Sequence, residues 1–498
     1  MQTSYWTGRL AAWIASIRVS NGINVRRRSL LAAAGLAAGL AAAKLAGADD
    51  AAFRGNGNSK WAATWATSIQ SAYILPTTPQ GAAVPGFDPQ PDLRFALPEA
   101  TTSGAVNQTF RMIVKPDLWG RTMRVRFSNV FGTKPVTFSH AAVGLQSYQA
   151  NLVPGTSVDL RFRGKRSITI PAGQQAYSDP VELPFYSATQ PLSLDGRNLA
   201  VSFAVEGSSG PMSHHATAFT TSYISAPGSG DTVSAEDDTA FPYSTTSWFF
   251  VSEVDVVAPK STVVVVAFGD SITDGTFSTL NGNDRWSNVM ARHLHRRLHG
   301  GVSVVNAGIG GNGVVALRTG QPATQRVQRD VISLAGVDTV VWMEGINDLG
   351  GGLLTPAPII SGYRQVVASL HRAGIEVIGA TLTPSFVPNG QVPANSPLAA
   401  ASATLAEHYG NAQTDAYRRT LNSFILSSGL FDATADFAAV TTDPRTGTLY
   451  PQFVPNSEGS AGDYLHPNRA GYQVMGVTAA NAVFSLLGTR SQQAAQQP

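Results

Sequence analysis

A serine that hands its proton to a histidine, itself steadied by a carboxylate, is a side-chain set able to transfer an acyl group. This sequence holds those residue types in settings that could bring them together. Ser271 stands in the stretch Val263-Val-Val-Val-Ala-Phe-Gly-Asp-Ser271-Ile-Thr-Asp-Gly275. Residues 263–268 are continuously apolar and rich in β-branched side chains, the pattern of a strand buried on both faces of a parallel sheet. Gly269-Asp270 then turns the chain into a polar segment at the strand's carboxyl end, the edge where open α/β sheets carry their sites. Gly-Asp-Ser is also ordinary turn chemistry, so the assignment depends on what three later stretches add.

The first is Gly462-Asp463-Tyr464-Leu465-His466-Pro467-Asn468, just ahead of the last helical segment. Asp and His three residues apart let the carboxylate reach Nδ1, which leaves Nε2 free to take a proton from a hydroxyl. The second is Asn306-Ala-Gly308-Ile-Gly310-Gly311-Asn312-Gly313, whose glycines let backbone N–H groups approach a substrate. The third, Glu344-Gly-Ile-Asn347-Asp348, offers a side-chain amide. Preorganised N–H donors are what the oxyanion of a tetrahedral intermediate requires.

These stretches must be brought to one rim, and the C-terminal half has the elements to do so. Helical periodicity at 284–298, 322–334, 358–372, 400–427 and 468–487 alternates with strand-like runs at 302–306, 337–343, 375–382 and 431–437. That is the alternation of a doubly wound parallel sheet flanked by helices. Residues 61–257 differ. Short alternating runs at 108–114, 123–128, 136–145, 158–162, 167–170, 199–205 and 248–256, separated by turn signals, predict an antiparallel β-sandwich or jelly roll. Its Trp61, Trp65, Trp119 and Trp248 could stack on sugar rings, or fill the core or the contact between the two halves. The expected division is a leader at 1–48, a β-domain at 61–257 and an α/β domain at 261–490.

Arg26-Arg27-Arg28 precedes a short Ala/Leu/Gly run, then Lys44 and Ala46-Gly-Ala48. This is the form of a bacterial signal peptide, and the paired arginines resemble a twin-arginine (Tat) leader. Export through the Tat machinery to the periplasm or beyond follows as an expectation, with no stable membrane insertion after cleavage near Ala48. The whole chain carries 35 basic and 32 acidic residues, but residues 1–48 hold six of the basic ones and none of the acidic. The remainder has 29 against 32, a net charge of −3, which gives no support for nucleic-acid binding. With no cysteine, a disulfide framework and thiolate metal sites are excluded. His293, His295 and His299 lie among Arg292, Arg296 and Arg297, and read as a solvated basic helix face rather than a metal site. His214-His215 reads as a loop or domain contact.

Gly-Asp-Ser271-Ile, Gly311, Gly345-Ile-Asn347-Asp and Asp463-x-x-His466-Pro together resemble the four sequence blocks of the SGNH (GDSL) hydrolase superfamily, in order, over residues 261–487. The resemblance implies Ser271 as nucleophile, His466 as general base and Asp463 as its orienting carboxylate. It implies an oxyanion hole from the Ser271 N–H, the Gly311 N–H and the Asn347 amide, with Gly311 chosen over Gly308 and Gly310 by its spacing from Asn306. No metal or organic cofactor is implied. Residues 344–348, 379–384 and 465–468 further resemble a secreted branch with acetylxylan-esterase-like members. The expected substrate is a small-molecule or polysaccharide ester with a short acyl group. A lipase or phospholipase of the same chemistry, or a non-catalytic carbohydrate-binding protein, are the alternatives.

Overall fold

The structure is a computed structural model in which residues 57–73, 90–187, 194–387, 407–455 and 464–496 are described. Asn58–Pro498 forms one compact unit. The expected leader, 1–48, and Asp463 lie outside the described residues.

The parallel sheet has five strands in the spatial order Val302–Gly308, Val263–Gly269, Val337–Met343, Glu376–Ala380 and Ala433–Ala435. Every neighbouring pair is parallel. In chain order this is 2-1-3-4-5, which places the topological switch at Val263–Gly269, the strand between Val302–Gly308 and Val337–Met343. Val264 to Phe268 are fully buried, as a strand covered on both faces must be. The flanking helices include Trp286–Leu298 packed on Arg469–Gln496, and Pro356–Arg372 packed on Ala412–Ser427. The expected helix 322–334 is a single turn, Ala323–Val327, that widens into a π-helical turn, Gln328–Ile332. Within the expected strand 431–437, only Ala433–Ala435 is extended, and Phe437–Thr441 turns into a short helix. Among the described residues, no helix is long and apolar enough to cross a membrane.

The β-rich part is built from antiparallel sheets. One runs Tyr243–Thr245, Ser222–Ile224, Val106–Val114, Leu199–Ser208, Val136–Leu145 and Val158–Asp159, with Ile168–Ile170 beside Val136–Leu145. The other runs Ser59–Ala66, Val251–Pro259, Thr122–Ser128 and Gln175–Tyr177, with Val181–Glu182 beside Thr122–Ser128. Phe110, Phe138 and Phe203 from the first meet Met123, Phe127 and Val254 from the second in one apolar core. The run expected as one strand at 248–256 is in fact two. Phe250, at a φ of 60°, breaks it. Trp248–Phe249 pairs with Ser213–His215 in a third small sheet, while Val251–Pro259 joins the second.

Ser59–Ala66 is a strand that periodicity did not flag, because Ala62, Ala63 and Ala66 are poor strand formers. They are small for a reason. All three pack into the core of the parallel sheet, and the Ala63 carbonyl accepts from Ser303 Oγ at 2.7 Å. The β-rich part therefore lies directly against the sheet edge at Val302–Gly308.

Candidate active site

The strand Val263–Gly269 ends at Gly269, and the chain turns at once into a four-residue helix, Ser271–Asp274. Asp270 caps it by accepting the Ile272 N–H at 3.0 Å, which satisfies one of the donors a helix start leaves open. Ser271 is the first helical residue, and its own N–H has no partner among the described residues. The turn fits only because its neighbours lack side chains. A β-carbon on Gly308 would lie 2.3 Å from the Asp274 backbone nitrogen, and one on Gly269 would lie 2.2 Å from the Met343 carbonyl oxygen.

His466 arrives from the segment that precedes Arg469–Gln496. Asn468 fixes that segment. Its Oδ1 accepts from the Ala470 and Gly471 N–H groups at 2.9 and 3.1 Å, and its Nδ2 donates to the Gln452 carbonyl at 2.9 Å. The result is that His466 Nε2 stands 2.7 Å from Ser271 Oγ, although the two are 195 residues apart in sequence. Both side chains are nearly buried, at 4% and 8% exposure, which keeps competing water away from the hydroxyl–imidazole contact. The Phe277 ring, 6.0 Å from the imidazole, walls one side.

Of the three candidate glycines, two already use their N–H groups. Gly308 donates to Asn306 Oδ1 at 2.8 Å and Gly310 to Asp274 Oδ2 at 3.0 Å. The Gly311 N–H has no partner among the described residues, and the residue adopts a φ of 74°, where a side chain would be strained. The Asn347 amide is clamped at both ends. Tyr409 Oη donates to its Oδ1 at 3.0 Å, and its Nδ2 donates to the Asn312 carbonyl at 2.9 Å. These contacts fix the amide's orientation and leave the second Nδ2 hydrogen for another acceptor. Three candidate oxyanion donors therefore sit on turns after three adjacent strands.

Several residues that hold this rim escaped the sequence reading. Asp348 accepts from the Val314, Val315 and Ala316 N–H groups at 2.6, 2.9 and 2.8 Å, tying the Asn347 turn to the glycine loop. Arg326 is fully buried beneath all of it. Its guanidinium donates to the carbonyls of Gly269 and Ala307, both at 2.8 Å, and to Asn312 Oδ1 at 2.7 Å. It also lies 3.4 Å from Glu344 and stacks on Phe268 at 4.2 Å. Burial pushes the Glu344 carboxyl up to about 7, against the pull of Arg326 and the Trp342 N–H. Asp270 is driven well above the usual carboxylate range, by burial first and then by the nearby Glu344 charge. Arg326 had a signal: it interrupts the apolar face between Ala323 and Val327.

Asp274, at the end of the short helix, binds the β-rich part. Its Oδ1 accepts from His215 Nε2 at 2.9 Å, and its Oδ2 from Thr217 Oγ1 at 2.8 Å as well as from Gly310. His214-His215 thus forms a contact between the halves, carried on a strand rather than a loop. His295 departs from the expected solvated face. It is half-buried and pairs with Asp117 at 3.0 Å. Trp61, Trp65, Trp119 and Trp248 are all buried, so none offers an open stacking face.

Residues 267–474 match the GDSL-like Lipase/Acylhydrolase family, so this segment of the chain is a GDSL-like domain. No curated protein matches the sequence. Among solved structures, the chain is similar to a GDSL-like lipase from Bacteroides thetaiotaomicron, at 18% identity over 46% of this chain and 91% of that one, with a TM-score of 0.33. It is similar to a carbohydrate acetylesterase from Sinorhizobium meliloti, at 17% identity over 45% and 99%, TM-score 0.34. The aryl esterase of M. smegmatis gives the same figures, 17% over 45% and 99%, TM-score 0.34.

Proposed function

We propose that the chain is an exported serine carboxylic-ester hydrolase that cleaves short acyl esters, O-acetyl groups on carbohydrate among them. One observation carries this reading: the 2.7 Å contact between Ser271 Oγ and His466 Nε2, two nearly buried side chains. In the proposed reaction Ser271 Oγ attacks the ester carbonyl carbon while its proton passes to His466 Nε2. The carbonyl oxygen gains the negative charge and is received by the Ser271 and Gly311 N–H groups and the remaining Asn347 Nδ2 hydrogen. His466 returns the proton to the departing alkoxide, so an alcohol leaves and an acyl-serine remains. Water, deprotonated by His466, then releases the acid and restores the serine. Asp463 is assigned the orientation of His466 on the sequence pattern alone. No step requires a metal or organic cofactor, and the Tat-type leader supports export to the periplasm or medium.

A second reading, a lipase or phospholipase, draws on Leu317 and Leu353. Both are exposed large apolar residues near the Asp348-anchored turns, where a longer acyl chain could lie. Turnover of p-nitrophenyl esters of increasing chain length, measured beside acetate release from acetylated xylan, separates the two. The short-acyl reading expects acetate and butyrate to be preferred and the xylan to be deacetylated. A preference for chains of ten carbons or more with an inert xylan would replace it with the lipase reading.

A further inference from the structure

Away from Ser271, a cavity of about 80 Å³ opens between the β-rich part and the α/β part. That is room for roughly half a dozen waters, the space of about one sugar ring. Its wall carries three basic side chains, Lys115, Arg285 and Arg292. None of the three forms an ion pair among the described residues. Arg285 is buried and donates only to the neutral carbonyls of Asp274 and Ala218. Lys115, half-buried, has no hydrogen-bond partner among the described residues, and Arg292 stands exposed with a single bond to the Asn283 carbonyl.

The carboxylates of the wall are already committed. Asp117 Oδ2 accepts the Val304 N–H at 2.7 Å and pairs with His295. Asp274 accepts from His215, Thr217 and Gly310. Asp117 and then Asp195 act on Lys115, and Asp274 and then Asp284 on Arg285, through space without forming an ion pair. Burial pulls Lys115 and Arg285 below their ordinary range. Arg285 is buried without an ion pair, and Lys115 and Arg292 keep donors that no described residue takes, so an anion entering from solvent finds its partners here. The rest of the lining says what else that molecule carries. Asn288 Oδ1 is buried without a donor, which suits a hydroxyl. Trp65 and Trp248, packed edge to face at 4.9 Å, form part of the same lining.

We infer that this cavity is a binding site for a hydroxylated carboxylate of monosaccharide size, a hexuronate, with the carboxylate on Lys115 and Arg292 and a hydroxyl on Asn288. The site is separate from the Ser271–His466 pair, and its test needs no turnover. Titration calorimetry of the full chain with glucuronate, galacturonate, glucose and inorganic phosphate decides it. Saturable binding of a uronate, with none of glucose, is expected. Lys115→Met should weaken that binding about tenfold or more, the size of one charge-assisted hydrogen bond, while Lys115→Arg should retain most of it. Circular dichroism and Tm show that each variant is folded. Failure of the native chain to bind any uronate overturns the inference. So does an affinity unmoved by Lys115→Met. Phosphate bound as tightly as the uronates would overturn the sugar-acid assignment and leave a plain anion site.

Discussion

His215 Nε2 and Asp274 Oδ1 meet at 2.9 Å across the join between the β-rich part and the α/β part. The other ring nitrogen, Nδ1, faces the Ser68 carbonyl at 2.8 Å. Both partners are acceptors, an arrangement that favours a ring protonated on both nitrogens. Burial pulls its pKa down, but the Asp274 charge and the hydrogen bonds outweigh this and the net shift is upward. Through Asp274 the pair reaches the Gly310 N–H, one residue before the candidate oxyanion donor Gly311. The β-rich part thus braces the rim directly and is more than an attachment to it.

Removal of that brace should therefore be felt at the ester. His215→Ala is expected to lower kcat for p-nitrophenyl acetate about tenfold or more with little change in KM, and to lower Tm, because Asp274 is left buried without its counter-charge. His215→Gln, which restores one donor to Asp274, should recover part of kcat. Steady-state kinetics and thermal unfolding on both variants check this. An unchanged kcat in His215→Ala would mean that the join carries no strain to the rim.

Gly308 offers a steric test. A methyl group there would stand 2.3 Å from the Asp274 nitrogen, and backbone cannot yield as a side-chain tip would. Gly308→Ala should shift the Ser271–Asp274 helix by a few tenths of an ångström or more and cost on the order of 10²-fold in kcat. Kinetics beside a crystal structure of the variant would show whether Ser271 Oγ and His466 Nε2 have separated.

Asn347 and Tyr409 divide donation from orientation. Asn347→Ala should lower kcat about 10²- to 10³-fold with a modest effect on KM, the usual cost of one oxyanion donor. Tyr409→Phe keeps the donor but frees the amide's other end, so a smaller loss, about threefold to tenfold, is expected. Measured kcat values in the opposite order would move the anchoring role to Asn347 and the reacting role elsewhere.

Glu344 sets a sign for stability against pH. Its carboxyl is held at about 7 in the fold against an ordinary value of 4.5. Between those values the folded chain holds the proton and the unfolded chain has lost it. Stability must therefore fall as pH rises from about 4.5 to 7, by about 3 kcal/mol from this group. Glu344→Gln removes the titration. Denaturant unfolding at pH 5 and pH 8 should show a smaller drop for the variant than for the native chain, and equal drops would place the proton on another group.

The parts of this site that were legible in the sequence are those encoded by neighbours in the chain. The buried valine strand, the glycine-bounded turn at Ser271 and the histidine ahead of the last helix each announce themselves within about ten residues. Their meeting followed from β/α alternation, which sends every strand's carboxyl end to one rim. Arg326, Asp274 and His215 could not be read that way. Their partners, Gly269, Gly310 and Ser68, come from other elements, so their roles exist only once two cores are packed together. Ser59–Ala66 was hidden for a related reason: its alanines are chosen for close approach to a neighbouring sheet rather than for strand formation. The break at Phe250 left no mark on the hydrophobic pattern, since Trp248, Phe249, Phe250 and Val251 form one continuous apolar run although its two ends serve different sheets.

The central claim is that Ser271 supplies the attacking oxygen and His466 takes its proton. Its most direct test is hydrolysis of p-nitrophenyl acetate by Ser271→Ala, with Tm confirming an intact fold and intact-protein mass spectrometry following acetylation of the native chain. The account predicts turnover reduced by at least about 10⁴-fold and a transient acetyl adduct that the variant never forms. Turnover within about tenfold of native, or an adduct that persists when residue 271 is alanine, would contradict it.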